Sequence, residues 1–316
     1  MLEAIASADL VTWLSIVVKT LVYAMAFLAM GSVISILTLR RLPASEVQAL
    51  ARLSVVCAVG CALLSLARLP LRASFLMGST WEGATDPMIL ALVWESPLGF
   101  SIALRPVGLG MICAILLSSR HGRWLSCVGI TLVAMSFVFR GHALQEPRLL
   151  LAVLITLHIL GLAFWIGVFT PLYRLSGARM DTVAGHIAHD FGRMALGVVG
   201  LLALAGGVTL WLLTGGVVLP LSTPYGQFFA IKLGVFLATI GLAAWNKLRL
   251  TPALLLQDRG AGANLRQSIR LEGVCVAVIL LTTATLTTVS APETTVKNRP
   301  VDGRALISET SKGGLS

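Results

Sequence analysis

Charge is what this sequence has least of. Asp, Glu, Lys and Arg together make up 12% of its 316 residues, roughly half the share carried by a soluble domain. From Leu149 to Tyr173 there is none at all. With 57% hydrophobic residues and a mean hydropathy of +0.90, the chain reads as a polytopic membrane protein. Large loops are missing too: the longest inner connections, 174–193 and 247–270, are too short to fold a nucleotide-hydrolysing domain. No G-x-x-x-x-G-K-[ST] occurs, so transport driven by ATP bound to this chain is excluded. The five cysteines, Cys57, Cys61, Cys113, Cys127 and Cys275, all fall in apolar runs and none in an outer loop, which excludes a disulfide framework. There is no basic n-region, and Lys19 interrupts the first apolar run, so no cleaved signal peptide is expected. The net charge of +10 is no sign of nucleic-acid binding, because the basic residues gather at the ends of the runs.

What is there is a series of apolar runs. Eight spans are expected, near 11–39, 53–75, 98–118, 124–142, 149–173, 194–217, 224–246 and 271–291. The loops after the odd-numbered spans hold thirteen Lys and Arg residues: Arg40, Arg41, Arg52, Arg120, Arg123, Arg174, Arg179, Arg193, Lys247, Arg249, Arg259, Arg266 and Arg270. The opposite side holds four: Arg68, Arg72, Arg140 and Arg148. The bias places both termini outside. The Thr/Ser/Gly-rich tail, residues 293–316, reads as disordered.

Two segments repeat. Ser96–Arg105 is SPLGFSIALR and Thr223–Lys232 is TPYGQFFAIK, sharing [ST]-P-[LY]-G-x-x-x-A-[LI]-[RK]. Gly31 and Gly167 correspond in a weaker alignment of spans one and five. The expected fold is therefore all-α, eight transmembrane helices arranged as two four-helix repeats, 1–146 and 147–292. An even number of spans per copy puts the relating axis along the membrane normal. Pro opens a helix readily and Gly permits close packing. Arg105 and Lys232 then lie about 9 Å beyond the Gly, where they either snorkel to the outer headgroups or pair with Glu82, Asp86 or Glu95.

The candidate chemistry begins with His158, about 14 Å into span five. Gly161 and Trp165, at i+3 and i+7, share its face. An imidazole at that depth serves either as an interhelical hydrogen-bonding group or as a metal ligand or proton relay. His142, at the outer end of the preceding span, is its expected partner in binding metal. Cys57 and Cys61, at i,i+4, either pack as small apolar residues or offer two soft ligands further in. His186 and His189, with Asp190, read as the polar face of an inner segment, and His121 as an inner-loop residue. Lys19 is deep enough to need a partner that the sequence does not identify. Glu272, close to Arg270, reads as an interface residue.

The stretches RGHA (140–143), LHILGLAFWIGVF (157–169), TPYGQFFAIKLGVFLATIGLAAWNKLRLTPAL (223–254) and LRQSIRLEGVCVAVILLTTATL (265–286) together resemble the copper resistance protein D (CopD) family, most strongly over His142 to Pro292. The residues carrying the likeness are Gly141 to Ala143, His158 with Trp165, Tyr225 and Gly226 with Lys232, Asn246 with Leu250 and Pro252, and Arg270 with Glu272. The resemblance implies a multi-pass protein of the bacterial inner membrane, not an enzyme, that serves copper homeostasis by moving copper ions from periplasm to cytoplasm. It also implies a periplasmic copper-binding partner, since MLEAIASADL is too short to hold a fused one. Beyond membrane lipids and that partner, no nucleic acid is expected. On this reading His142 and His158 stand near the mouth of the path, with Lys19, Arg105, Lys232, Trp165, Tyr225 and Glu272 along it or pairing beside it. The alternative is a redox or sensing protein binding haem b or quinone, with His158 as an axial ligand.

Overall fold

The computed structural model describes residues 9–139, 147–177, 181–214 and 224–289. The described residues are helical, with short turns and no strand. In chain order they form α1 (Leu10–Thr38), α2 (Ala44–Leu76), α3 (Pro87–Glu95), α4 (Pro97–Ile112) running into a 3-10 turn (Cys113–Leu117), and α5 (Arg120–Met135). Then come α6 (Arg148–Gly167), α7 (Phe169–Gly177), α8 (Asp181–Thr214), α9 (Pro224–Trp245), a π-helical turn (Asn246–Leu250), α10 (Thr251–Leu255) and α11 (Ala261–Val289). Among the described residues seven segments are long and apolar enough to cross a membrane: Leu10–Thr38, Ala44–Leu76, Pro97–Leu117, Arg148–Ser176, Asp181–Thr209, Ala230–Leu255 and Ala261–Thr288.

The fourth expected span, 124–142, is the exception. Its helix, α5, has 16 residues, about 24 Å, and Ser136 ends it by turning its hydroxyl back to the Val133 carbonyl. The inner connections differ as well. Most of 174–193 and 247–270 is helix, because α8 and α11 begin well before their apolar runs do. His186 and His189 accordingly sit exposed on the first turns of α8, with His189 beside Asp190. His121 is exposed at the start of α5.

The repeated motif has a local cause. Ser96 caps α4 by accepting from the Leu98 amide at 3.2 Å, Pro97 fills the first helical position, and the Gly99 α-carbon lies against the Trp94 carbonyl. A Cβ there would sit 1.8 Å from that oxygen. Pro224 likewise opens α9.

α1 is the hub. Ile16, Val22, Ala26, Phe27, Met30 and Val33 form a buried core with α2, α4, α5 and α6. Lipid supplies no hydrophobic drive between spans, so close approach at small residues holds them together. Gly31 of α1 and Gly167 of α6 meet backbone to backbone: a Cβ on Gly31 would lie 2.3 Å from the Ala163 carbonyl oxygen, and one on Gly167 2.1 Å from that of Gly31. At the basic end, Arg174 Nε of α7 donates to both carboxylate oxygens of Glu46 of α2, at 3.0 and 3.1 Å. Arg41 pairs with Asp190 at 3.4 Å.

Candidate functional site

α6 carries the first layer. His158 is half-buried, and its Nδ1 is enclosed with no hydrogen-bond partner among the described residues. The close helix contact expected at Gly161 is present: a Cβ there would meet the Leu202 side chain of α8 at 2.8 Å. Lys232 of α9 is within electrostatic reach of the imidazole.

Seven residues further along α6, about 10 Å, lies an aromatic layer. Phe164 stacks on Phe191 of α8 with centroids 5.0 Å apart, and Trp165 meets the same ring edge-on at 6.0 Å. Ile240 and Ala243 of α9 pack against this cluster. The layer joins α6, α8 and α9 below His158.

Trp165 also opens the second polar layer. Its indole N–H donates to Glu272 Oε2 of α11 at 3.2 Å, and Asn246 Nδ2 donates to the other carboxylate oxygen. Glu272 is only 4% exposed, so it belongs to the helix interior and not to the interface with Arg270. Arg270 instead donates to the Tyr173 hydroxyl at 2.6 Å. The π turn delivers Asn246 to this place. Pro252 has no amide to give and crowds the carbonyl four residues back; the backbone widens, and the Thr251 amide and hydroxyl both return to the Asn246 carbonyl. Such widened turns recur at functional sites. Asn246 Oδ1 is enclosed without a partner among the described residues.

The other expected residues lie apart from this line. Arg105 is fully buried, and donates to Ser136 Oγ at 3.0 Å, Ser101 Oγ at 3.2 Å and Ser65 Oγ at 3.4 Å. Its guanidinium lies 4.6 Å over the Phe137 ring. Lys19 donates to the Thr287 carbonyl at 2.9 Å and the Thr288 hydroxyl at 3.2 Å, which supplies the partner missing from the sequence. Cys57 and Cys61 are buried between α1 and α2, with the Cys61 thiol on the Val22 carbonyl. Tyr225 is in the first turn of α9. His142 and the tail from 293 lie outside the described residues. Among the described residues no three His, Cys, Asp or Glu side chains converge. The main residue that motif reading underrated is Asn246; its signal was the Pro252 six residues on, which breaks the α-helical ladder.

These apolar helices, with an imidazole, a carboxylate and an amide buried among them, define a multi-pass membrane protein. Two family models match the chain: the copper resistance protein D-like N-terminal domain over residues 7–147 and copper resistance protein D over 185–286. The chain belongs to the copper resistance protein D family. The N-terminal match covers the half where the resemblance of motifs is weaker, while His158 and Trp165 fall between the two matched stretches. Comparison with curated proteins and with solved structures gives no match.

Proposed function

We propose that this protein moves copper ions across the bacterial inner membrane, from periplasm to cytoplasm, along a line from His158 past the Trp165 layer to Glu272 and Asn246. The observation that carries the reading is the pair of enclosed acceptors without a partner among the described residues, His158 Nδ1 and Asn246 Oδ1, on either side of one aromatic layer. Imidazole, carboxylate and amide oxygen suit Cu(II), whereas Cu(I) favours thiolate and thioether. His142 would receive the ion at the outer surface, from a periplasmic copper-binding partner. Lys232 opposes a bare cation beside His158 and so acts as a brake on passage. Family membership favours copper over the haem or quinone alternative.

The finer architecture is part of the same proposal: eight spans, the fourth completed beyond Met135, in two four-helix repeats with both termini periplasmic. Its support is the contact between Gly31 and Gly167. Positions that correspond in two copies and also touch each other must lie on the axis relating the copies. A reporter fused after Pro292 is expected to read periplasmic, and one at Arg41 or Asp258 cytoplasmic; a cytoplasmic C-terminus would overturn the orientation.

The function is tested by copper accumulation in cells expressing wild type, His158→Ala or Glu272→Gln at matched membrane abundance. Both variants are expected to lose accumulation. Wild-type accumulation in His158→Ala would reduce that histidine to a packing residue and remove the path.

A further inference from the structure

Away from this line, where α1, α2, α4 and α11 meet, a cavity of about 60 Å³ is lined by Ser15, Lys19, Arg68, Arg72, Thr287 and Thr288, with Leu71, Phe75 and Leu98 as its apolar wall. That volume is several times what one water needs. Three cationic side chains converge on it from two helices, and the described residues that line it include no acidic one. Lys19 is only 7% exposed. Two hydroxyl-bearing residues of α11 face it, and Arg72 lies 5.2 Å over the Phe75 ring. The cavity sits at the first turn of α4 and the last turn of α11, the ends of two apolar spans, where a bilayer's headgroup layer would lie. Bordering it is a second groove of about 340 Å³, lined by Leu14, Val18, Ala67, Pro70, Trp81 and Ala84 among others, with Leu71 common to both. Trp81 is 65% exposed, as an aromatic at the membrane–water interface is.

We propose that this pair of hollows is a phospholipid site: Lys19, Arg68 and Arg72 hold the phosphate of an anionic lipid while an acyl chain follows the α1–α2 groove. Cations and hydroxyls recognise a phosphate oxyanion, Arg with bidentate geometry. A soluble anion would use the cationic cavity alone and have no use for the apolar groove beside it. The lipid would tie α1 to the ends of α2 and α11 through charge, in addition to the Lys19 hydrogen bonds to Thr287 and Thr288.

The test uses the full chain, delipidated in a neutral detergent, with thermal unfolding followed on adding dioctanoyl phosphatidylglycerol, dioctanoyl phosphatidylcholine or inorganic phosphate. Phosphatidylglycerol is expected to raise Tm by several degrees, since a ligand of the folded state stabilises it, and the other two to have little effect. Arg72→Gln, at an exposed position that folding tolerates, is expected to lose most of the rise. Ala67→Trp fills the groove without touching the cations and is expected to lose it as well. An equal rise with inorganic phosphate, or a full rise in Ala67→Trp, would overturn the lipid assignment. A full rise in Arg72→Gln would overturn the phosphate contact, and an equal rise with phosphatidylcholine would overturn the assignment to an anionic lipid.

Discussion

The two copies of the S/T-P-x-G motif end in cations that meet opposite circumstances. Arg105, in the first, is enclosed by three serine hydroxyls and a phenyl ring. Lys232, in the second, stands near an imidazole whose Nδ1 has no partner among the described residues. Packing also differs between stretches of these helices. Gly108 and Gly129 press α4 and α5 together, each lying close to the other's carbonyl, whereas Gly197, Gly200, Gly206 and Gly207 of α8 and Gly234 and Gly241 of α9 have open space where a Cβ would be. A buried polar group is tolerated in lipid when it is satisfied. Arg105 is satisfied within its own helices, whereas His158 Nδ1 and Asn246 Oδ1 are enclosed acceptors without a partner among the described residues.

The sharpest way to break that comparison is at the hub. Gly31→Leu is expected to cost more than about 3 kcal/mol, beyond the usual overpacking range, because the obstacle is backbone; loss of monodisperse protein on size exclusion would report it. Arg105→Ala comes next, leaving hydroxyls of Ser65, Ser101 and Ser136 short of a donor at about 1–3 kcal/mol. It should lower Tm without changing copper accumulation per folded molecule. His158→Ala should do the reverse, and equal behaviour of the two variants would erase the distinction between the copies. Trp165→Phe removes one hydrogen bond to a carboxylate, about 1.5–3 kcal/mol if Glu272 is ionised, and should weaken copper passage while keeping the aromatic layer. Lys232→Met should raise accumulation a few-fold by releasing the brake; a fall would mean that the lysine assists the ion. The smallest effect is at Asp9, which caps α1 and also bonds Ser79. Those side-chain hydrogen bonds hold its carboxyl below the ordinary 3.8. A depressed carboxyl stabilises the fold above the unfolded pKa, and the contribution fades as pH falls through the folded value. Asp9→Ala should therefore lower Tm at pH 7 by the equivalent of about 1 kcal/mol and by less at pH 3.

Much of this was legible in the sequence, for reasons that name its limits. Apolar runs located seven of the eight expected spans, the helix in the fourth having only 16 residues, and the SPLG segment marked a helix start that Ser96, Pro97 and Gly99 do build. The close contact at Gly161 followed from its place on the face of His158. Span ends were misplaced where helices outlast their apolar runs, as α8 does from Asp181: hydropathy measures the lipid layer, while the backbone ladder continues into water. Glu272 read as an interface residue because its neighbour Arg270 is close in sequence, whereas its partners Trp165 and Asn246 are 107 and 26 residues away. Lys19 finds Thr287 and Thr288 across 268 and 269 residues. Periodicity along one helix carries no record of which other helix lies beside it.

The meeting of Gly31 and Gly167 has a mechanical consequence. Where two helix backbones touch with no side chain between them, the contact works as a bearing: α1 and α6 can scissor about it, but neither can be pressed closer there. Any rocking of α1 against α6 then turns about that point. Because the bearing is two residues beyond Trp165 on α6, the aromatic layer sits almost at the fulcrum, where displacement is least, while the same rotation moves the Arg148 end of α6 furthest.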